Sequence, residues 1–398
     1  MLEKITIYYF WYFFSVLGGV IGVSVLTRYI SPSDYAKLSL VIALATVIQY
    51  VVRDTHGIVL SKYSDQYEKV RQKLTLINTY LLIFSIVIAP IVFYFFIDEN
   101  FFGVVHSILF WLLFFIVSLF ESIFIAFKKR YKYVQHSNIF NWLRFLFALL
   151  LYVFYESTYV SLIIGYSIGS IVTIAFDYLT FDSPKNITNK SNKSNKSNKR
   201  ILNINKVFIG SLLSWGILFF DRFLIEYYLG EEVLGGYFAV FQIGFMPIFL
   251  IYYSSMNLLM PYLLKNNIDS KQHAGKVFIL IALSALFGYV IMQNLLPLLS
   301  NLLGEGYRRY IILLPNFLVY AILYSASNFF LLSFLAKTQD DTYLKYKSIN
   351  IVGVLIFAII GINFGSIEIF LDFLISFYIL FLVLIYCQLT SIKNENIF

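Results

Sequence analysis

Long apolar stretches separated by short polar ones run along the whole chain. Twelve can be marked: about Ile5–Leu26, Tyr35–Val59, Leu74–Ile97, Gly103–Phe127, Ile139–Tyr155 and Tyr159–Leu179, then Val207–Leu229, Gly236–Leu264, Lys276–Leu299, Tyr310–Leu335, Ser348–Phe364 and Ile367–Thr390. Most reach the roughly 20 residues that a helix needs to cross a bilayer. The pattern predicts an all-α polytopic membrane protein. The polar break near the middle leaves six runs on each side: a lobe over residues 1–180, a linker over 181–205 and a second lobe over 206–398. Six crossings return the chain to its starting side, so the two halves share one orientation. Halves related in that way suit alternating access around a central cavity.

Composition supports this reading. Residues are 60% hydrophobic and only 13% charged, whereas a soluble domain carries about 25% charged residues. The net charge of +8 does not point to nucleic acid, because the positive residues sit in short loops and act as topology signals. Arg53, Lys69, Lys128, Arg144, Lys345 and Lys347 fall in or beside the even-numbered connections, while Asp98, Glu156, Glu231 and Glu305 fall in the odd ones. This bias places both termini in the cytoplasm. The linker contains NKSNKSNKSNKR, which has nothing apolar to bury and reads as a disordered tether. The lone Cys387 leaves no disulfide or cysteine metal site. The first run is too long for a cleaved signal peptide and lacks a small-residue cleavage site.

The seventh run departs from simple apolarity. It carries Asp221, Arg222 and Glu226 well inside the span, where each charge costs about 2.5–3.5 kcal/mol on insertion scales. Such a segment must face protein or water. Arg222 and Glu226 are four residues apart and can pair along one helical face. Intramembrane ionisable residues mark substrate or ion paths, so this run is the first candidate for lining one.

A short internal echo joins the halves. TRYISPSDYAKLSLV (Thr27 to Val41) parallels IEYYLGEEVLGGYFAV (Ile225 to Val240), each linking the first two runs of its half. With Asp221-Arg222, then Leu229-Gly230-Glu231-Glu232 and Gly236-Tyr237, and later Leu303-Gly304-Glu305-Gly306-Tyr307, the chain resembles bacterial polysaccharide transporters. These are the O-antigen and capsule repeat-unit flippases of the multidrug/oligosaccharidyl-lipid/polysaccharide exporter superfamily. Ala36 stands where that family usually has Gly. The resemblance implies a V of two six-helix lobes. Its implied substrate is an undecaprenyl-diphosphate-linked oligosaccharide in the bacterial cytoplasmic membrane, and its implied partners are membrane lipids and the polymerase and glycosyltransferases of the same pathway.

Such a headgroup is anionic and rich in hydroxyls. Arginine suits it because the planar fork binds phosphate oxygens bidentately. The candidates for substrate binding are Arg222 with Asp221 and Glu226, Arg53 at the inner end of the second run, and Arg144 near the start of the fifth. Arg28 with Glu231 is a candidate outer closing pair, and Asp54, His56 and Glu121 are candidate proton carriers. No GxxxxGKS loop, zinc spacing or catalytic triad appears, so no cofactor, metal or enzymatic step is expected. A repeat-unit polymerase and a multidrug antiporter of the same superfamily are the competing readings.

Overall fold

The computed structural model describes residues 2–56, 59, 74–81, 83, 87, 90, 91, 94, 101–126, 130–180, 203–266, 274–336 and 340–391. Helices α1 (Leu2–Leu26) and α2 (Pro32–Gln49) come first, and α2 runs on into a π turn over Tyr50–Asp54. Residues 74–81 are helical and are labelled α3. Next come α4 (Phe101–Ala126), α5 (Arg130–Phe154) and α6 (Tyr159–Thr180). The second half holds α7 (Ile204–Leu229), α8 (Glu231–Asn266) and α9 (Ala274–Leu299). A 3₁₀ helix over Glu305–Leu313 then leads into α10 (Leu314–Ala336), followed by α11 (Asp340–Ile362) and α12 (Ile367–Ser391). Among the described residues there is no strand, and ten helices are long and apolar enough to cross a membrane.

The packing pairs repeat between the halves. In the first, α1 packs on α5, α5 on α6, α6 on α4 and α4 on α2. In the second, α7 packs on α11, α11 on α12, α12 on α10 and α10 on α8. Moving each helix six places along maps one set onto the other. The contacts between lobes follow the same rule: α1 meets α8 as α2 meets α7, and α2 meets α8. The first two helices of each half therefore form the interface between two six-helix lobes. Outside it, α9 shows an apolar flank, with Ile279, Leu280, Leu286 and Phe287 all about 60% or more exposed, as a helix facing hydrocarbon requires.

Local chemistry fixes the turns beside that interface. Ser31 caps α2 by accepting from the Asp34 amide at 3.1 Å, and Pro32 fills the first position, where its missing N–H costs nothing. At the end of α7, Gly230 has φ +88° and ψ 168°, a region open essentially only to glycine, and Glu231 and Glu232 then start α8 at its positive dipole end. That accounts for the Leu-Gly-Glu-Glu motif. A Cβ on Gly235 would lie 1.9 Å from the Pro32 carbonyl oxygen, so the first turn of α8 meets α2 only because that side chain is absent.

Two helix boundaries differ from the hydropathy reading. Helix α5 begins at Arg130 rather than near Ile139, and α11 begins at Asp340 rather than near Ser348. Several polar side chains in the first few turns of each bond to neighbouring helices. Asn141 donates to Ser15 at 2.7 Å, and Asn138 to the Trp11 carbonyl at 3.1 Å. Lys347, counted as a loop charge, is 3% exposed and donates to Ser214 and Asn328 at 2.8 and 2.6 Å. The linker expected over 181–205 lies outside the described residues up to 202, and Asn203 then caps α7.

Candidate functional site

Successive positions on a helix point about 100° apart, and α7 uses that to divide its charges between the lobes. Asp221 turns into its own lobe, where it is 5% exposed and accepts from the Tyr237 hydroxyl of α8 and from the Arg222 amide (2.8 Å). Arg222 turns to the interface and is fully buried. Its Nη1 donates to the Ser39 carbonyl of α2 at 3.1 Å. The guanidinium carbon lies 4.6 Å from the ring centres of Phe219 and Phe238 and 5.1 Å from that of Phe241. Among the described residues, no acceptor reaches Nε or Nη2.

A buried donor without an acceptor costs about 1–3 kcal/mol, more when charged, and a desolvated cation–π contact returns about 2 kcal/mol. The three rings therefore make the burial of this cation tolerable without saturating it. Its Nε and Nη2, which together carry three N–H groups, are left without an acceptor among the described residues.

Arg222 forms part of the wall of a cavity that lies mainly in the first lobe. Ser15, Gly19 and Val20 of α1, Thr46 and Gln49 of α2, and Glu121 of α4 line it. From α5 come Tyr133, His136, Ser137, Phe140, Asn141 and Arg144, a recurrence every three or four residues that sets one helical face inward. Helix α7 adds Phe219 and Arg222, and α8 adds Gln242, Met246 and Pro247, so the second lobe closes one side. About 100 Å³ of the space is open to the centre of a water molecule. A single water needs roughly 10–15 Å³ by that measure, so this conformation has room for several waters and not for an oligosaccharide.

Arg144 belongs to the same cavity. Because α5 starts nine residues earlier than hydropathy indicates, Arg144 lies about four turns into the helix and not at headgroup level. Its guanidinium carbon is 5.0 Å from the Phe140 ring, 4.8 Å from Phe145 and 5.6 Å from Tyr166, and its Nε has no acceptor among the described residues. Glu121, 7% exposed, accepts from Gln49 at 3.1 Å. His136 and Asp177, each 1% exposed, are joined at 2.5 Å between α5 and α6.

The sequence-predicted residues thus separate. Arg222 and Arg144 share the cavity, with Asp221 immediately behind the first. Glu226 is only half-buried, is absent from the cavity wall and makes no ion pair with Arg222, which faces the phenylalanines and Ser39 instead. The Arg53 and Asp54 side chains lie outside the described residues, and His56 is buried against the Val52 carbonyl at 2.7 Å. Sequence reasoning missed His136, Asp177, Gln49 and Asn141. The signal was available: polar residues at helical spacing inside apolar runs.

The interface is shut at the end where α1 meets α2. Gly304 N–H donates to Thr27 Oγ1 at 3.2 Å, Tyr307 OH to the Ile30 carbonyl at 3.0 Å, and Arg28 to the Asn301 carbonyl at 3.4 Å. Ser33 donates to Glu231, so Glu231 is engaged by Ser33 and not by Arg28. Further along, Trp215 Nε1 donates to the Ala43 carbonyl at 2.7 Å and Thr55 to Ser211 at 3.4 Å. The α2–α7 contact is therefore stitched along its length.

Comparison with known proteins agrees with this architecture. The profile of a family described as "Polysaccharide biosynthesis protein" matches residues 1–267. No curated protein matches the chain in sequence. Among solved structures, an inward-facing multidrug resistance MATE family transporter of the MOP superfamily aligns over 96% of this chain and 95% of its own, at 13% identity and TM-score 0.65. An outward-facing MATE transporter of that superfamily aligns over 96% of each chain, at 14% identity and TM-score 0.57. The MATE multidrug transporter DinF-BH aligns over 96% of this chain and 93% of its own, at 13% identity and TM-score 0.64.

Proposed function

The chain belongs to the polysaccharide biosynthesis protein family, and on that premise we propose that it flips lipid-diphosphate-linked oligosaccharides between membrane leaflets by alternating access. The substrate is an undecaprenyl-diphosphate repeat unit for a surface polysaccharide such as O-antigen or capsule. The membrane is the bacterial cytoplasmic one, with both termini inside, as the loop charges favour. The pathway's polymerase and glycosyltransferases are the partners that would hand over or take up such a unit.

One observation carries the reading: Arg222 and Arg144 both border one cavity, and each has guanidinium donors that the protein leaves unfilled. A diphosphate supplies acceptor oxygens and negative charge together. Ser15, Ser137, Asn141 and Gln242 on the same wall suit sugar hydroxyls. The shut end and the small volume describe a state that must open before the headgroup enters.

The test is removal of the chain from its source, with labelled lipid-linked oligosaccharide followed by leaflet. Accumulation on the cytoplasmic face supports flipping. Single repeat units that reach the outer face and fail to elongate would instead identify the polymerase reading. A multidrug antiporter has one feature in its favour, because Glu121 lies among aromatic rings that can hold an organic cation. Export of a cationic dye, with no defect in polysaccharide, would establish that alternative.

A further inference from the structure

The segment Leu303-Gly304-Glu305-Gly306-Tyr307 carries two glycines, and they meet the first lobe in different ways. A Cβ on Gly304 would lie 1.9 Å from the Thr27 carbonyl oxygen. One on Gly306 would lie 3.5 Å from the Pro32 ring, an ordinary contact. Gly235, in the first turn of α8, repeats the first case, with its Cβ 1.9 Å from the Pro32 carbonyl oxygen. Gly236 beside it would meet the Tyr310 ring, which belongs to its own lobe. Among the described glycines, Gly235 and Gly304 are therefore the two whose missing side chains the opposite lobe requires.

Neither needs to be glycine for its own backbone. Gly304 has φ −59° and ψ 160°, which any residue adopts, and Gly235 sits in a helix without a positive φ. Alanine is the stronger helix former of the two residue types. The second lobe taken alone thus accepts alanine at both positions. The obstacle lies across the interface, and it is a main-chain carbonyl in each case, which cannot swing aside as a flexible side chain could. Relief takes movement of backbone, and so separation of the lobes. Two hydrogen bonds form over the same patch only at this close approach: the Gly304 N–H donates to Thr27 Oγ1 at 3.2 Å and the Tyr307 hydroxyl to the Ile30 carbonyl at 3.0 Å.

We infer that Gly235 and Gly304 set the balance between shut and open at this end of the interface. Each lets main chain of one lobe seat on main chain of the other, and alanine at either position excludes the shut state while leaving the parted state untouched. A change that raises one of two states moves the population to the other. In a carrier that alternates, such a variant holds the cavity open to this side and stalls before it can turn back. This rests on the alternating-access part of the reading above and not on the substrate.

The experiment uses the full-length chain in lipid nanodiscs with Cys387→Ser, and spin labels on Tyr29→Cys and Tyr227→Cys. These two positions are 58% and 82% exposed and lie on opposite lobes at the shut end. Double electron–electron resonance reads the distance between them, and circular dichroism reads helix content. The wild type is expected to give mainly a short distance. Gly235→Ala and Gly304→Ala should each make a longer distance the main population, with helix content unchanged, and Gly306→Ala should match the wild type. Short distances kept in both Gly235→Ala and Gly304→Ala overturn the inference, as does equal lengthening in Gly306→Ala. Loss of helix content in Gly235→Ala or Gly304→Ala overturns it too, because the second lobe would then need the glycine for itself. Each of these results leaves the flippase reading standing if the wild type moves lipid-linked sugar in liposomes. A wild type that moves none, beside alanine variants that lengthen as expected, removes the flippase reading and keeps this one.

Discussion

Asp221 and Arg222 are neighbours in the chain, yet they serve different lobes: Asp221 accepts from Tyr237 inside the second lobe, and Arg222 reaches across to the Ser39 carbonyl of α2. No ion pair joins their side chains among the described residues. The acid anchors α7 to α8, and the guanidinium stands at the interface with two donor positions unfilled.

Arg222→Ala is expected to abolish surface polymer while the protein still reaches the membrane in normal amount. Arg222→Lys should keep part of the activity, because a lysine restores the charge but not the planar fork. Polymer levels set against immunoblotted protein give the comparison. Normal polymer in Arg222→Ala would remove this residue from the site.

Arg144→Gln should weaken binding of a diphosphate-linked lipid at least tenfold, or about 1.4 kcal/mol. Glu226→Gln should leave it unchanged, since Glu226 is absent from the cavity wall. Equal losses in the two variants would mean that the effect is general and not a property of the cavity.

Tyr237→Phe keeps the ring and removes the donor to Asp221. A buried carboxylate that loses a hydrogen bond costs about 1–3 kcal/mol, so the variant should unfold at a lower temperature in detergent. Asp221→Asn combined with Tyr237→Phe should fall short of the sum of the single losses, because both changes act on one contact. Strict additivity would argue against that contact.

Ser33→Cys with Glu231→Cys, in a Cys387→Ser background, places two thiols where the lobes meet at the shut end. A short thiol crosslinker should join them and halt transport, and each single cysteine should be insensitive. Continued transport in the crosslinked protein would show that this end need not part.

Much of this was legible in the sequence. The apolar runs marked the helices, and the Asp221–Arg222 pair marked the interface helix, because charge inside an apolar run has few explanations. Hydropathy failed where helical turns carry polar residues, some of them, such as His136 and Lys347, buried against protein. The first turns of α5 and α11 read as loop, which misplaced Arg144 near headgroup level and made Lys347 a topology charge. The way α2 and α7 are stitched together was not legible either. It depends on Arg222 and Trp215 bonding to α2 carbonyls, and backbone acceptors leave no mark in residue type. His136 and Asp177 are 41 positions apart, and only the packing of α5 on α6 makes them a pair.

The central claim is that two guanidiniums on one cavity wall carry a lipid diphosphate across the bilayer. Its most direct test is reconstitution of the purified chain into liposomes with a fluorescent prenyl-diphosphate-linked sugar, scored by how much becomes accessible to a membrane-impermeant quencher on the far side. The account predicts protein-dependent movement that disappears in Arg222→Ala and falls sharply in Arg144→Gln. Movement at the protein-free rate, or undiminished movement in the Arg222→Ala, Arg144→Gln double variant, would contradict it.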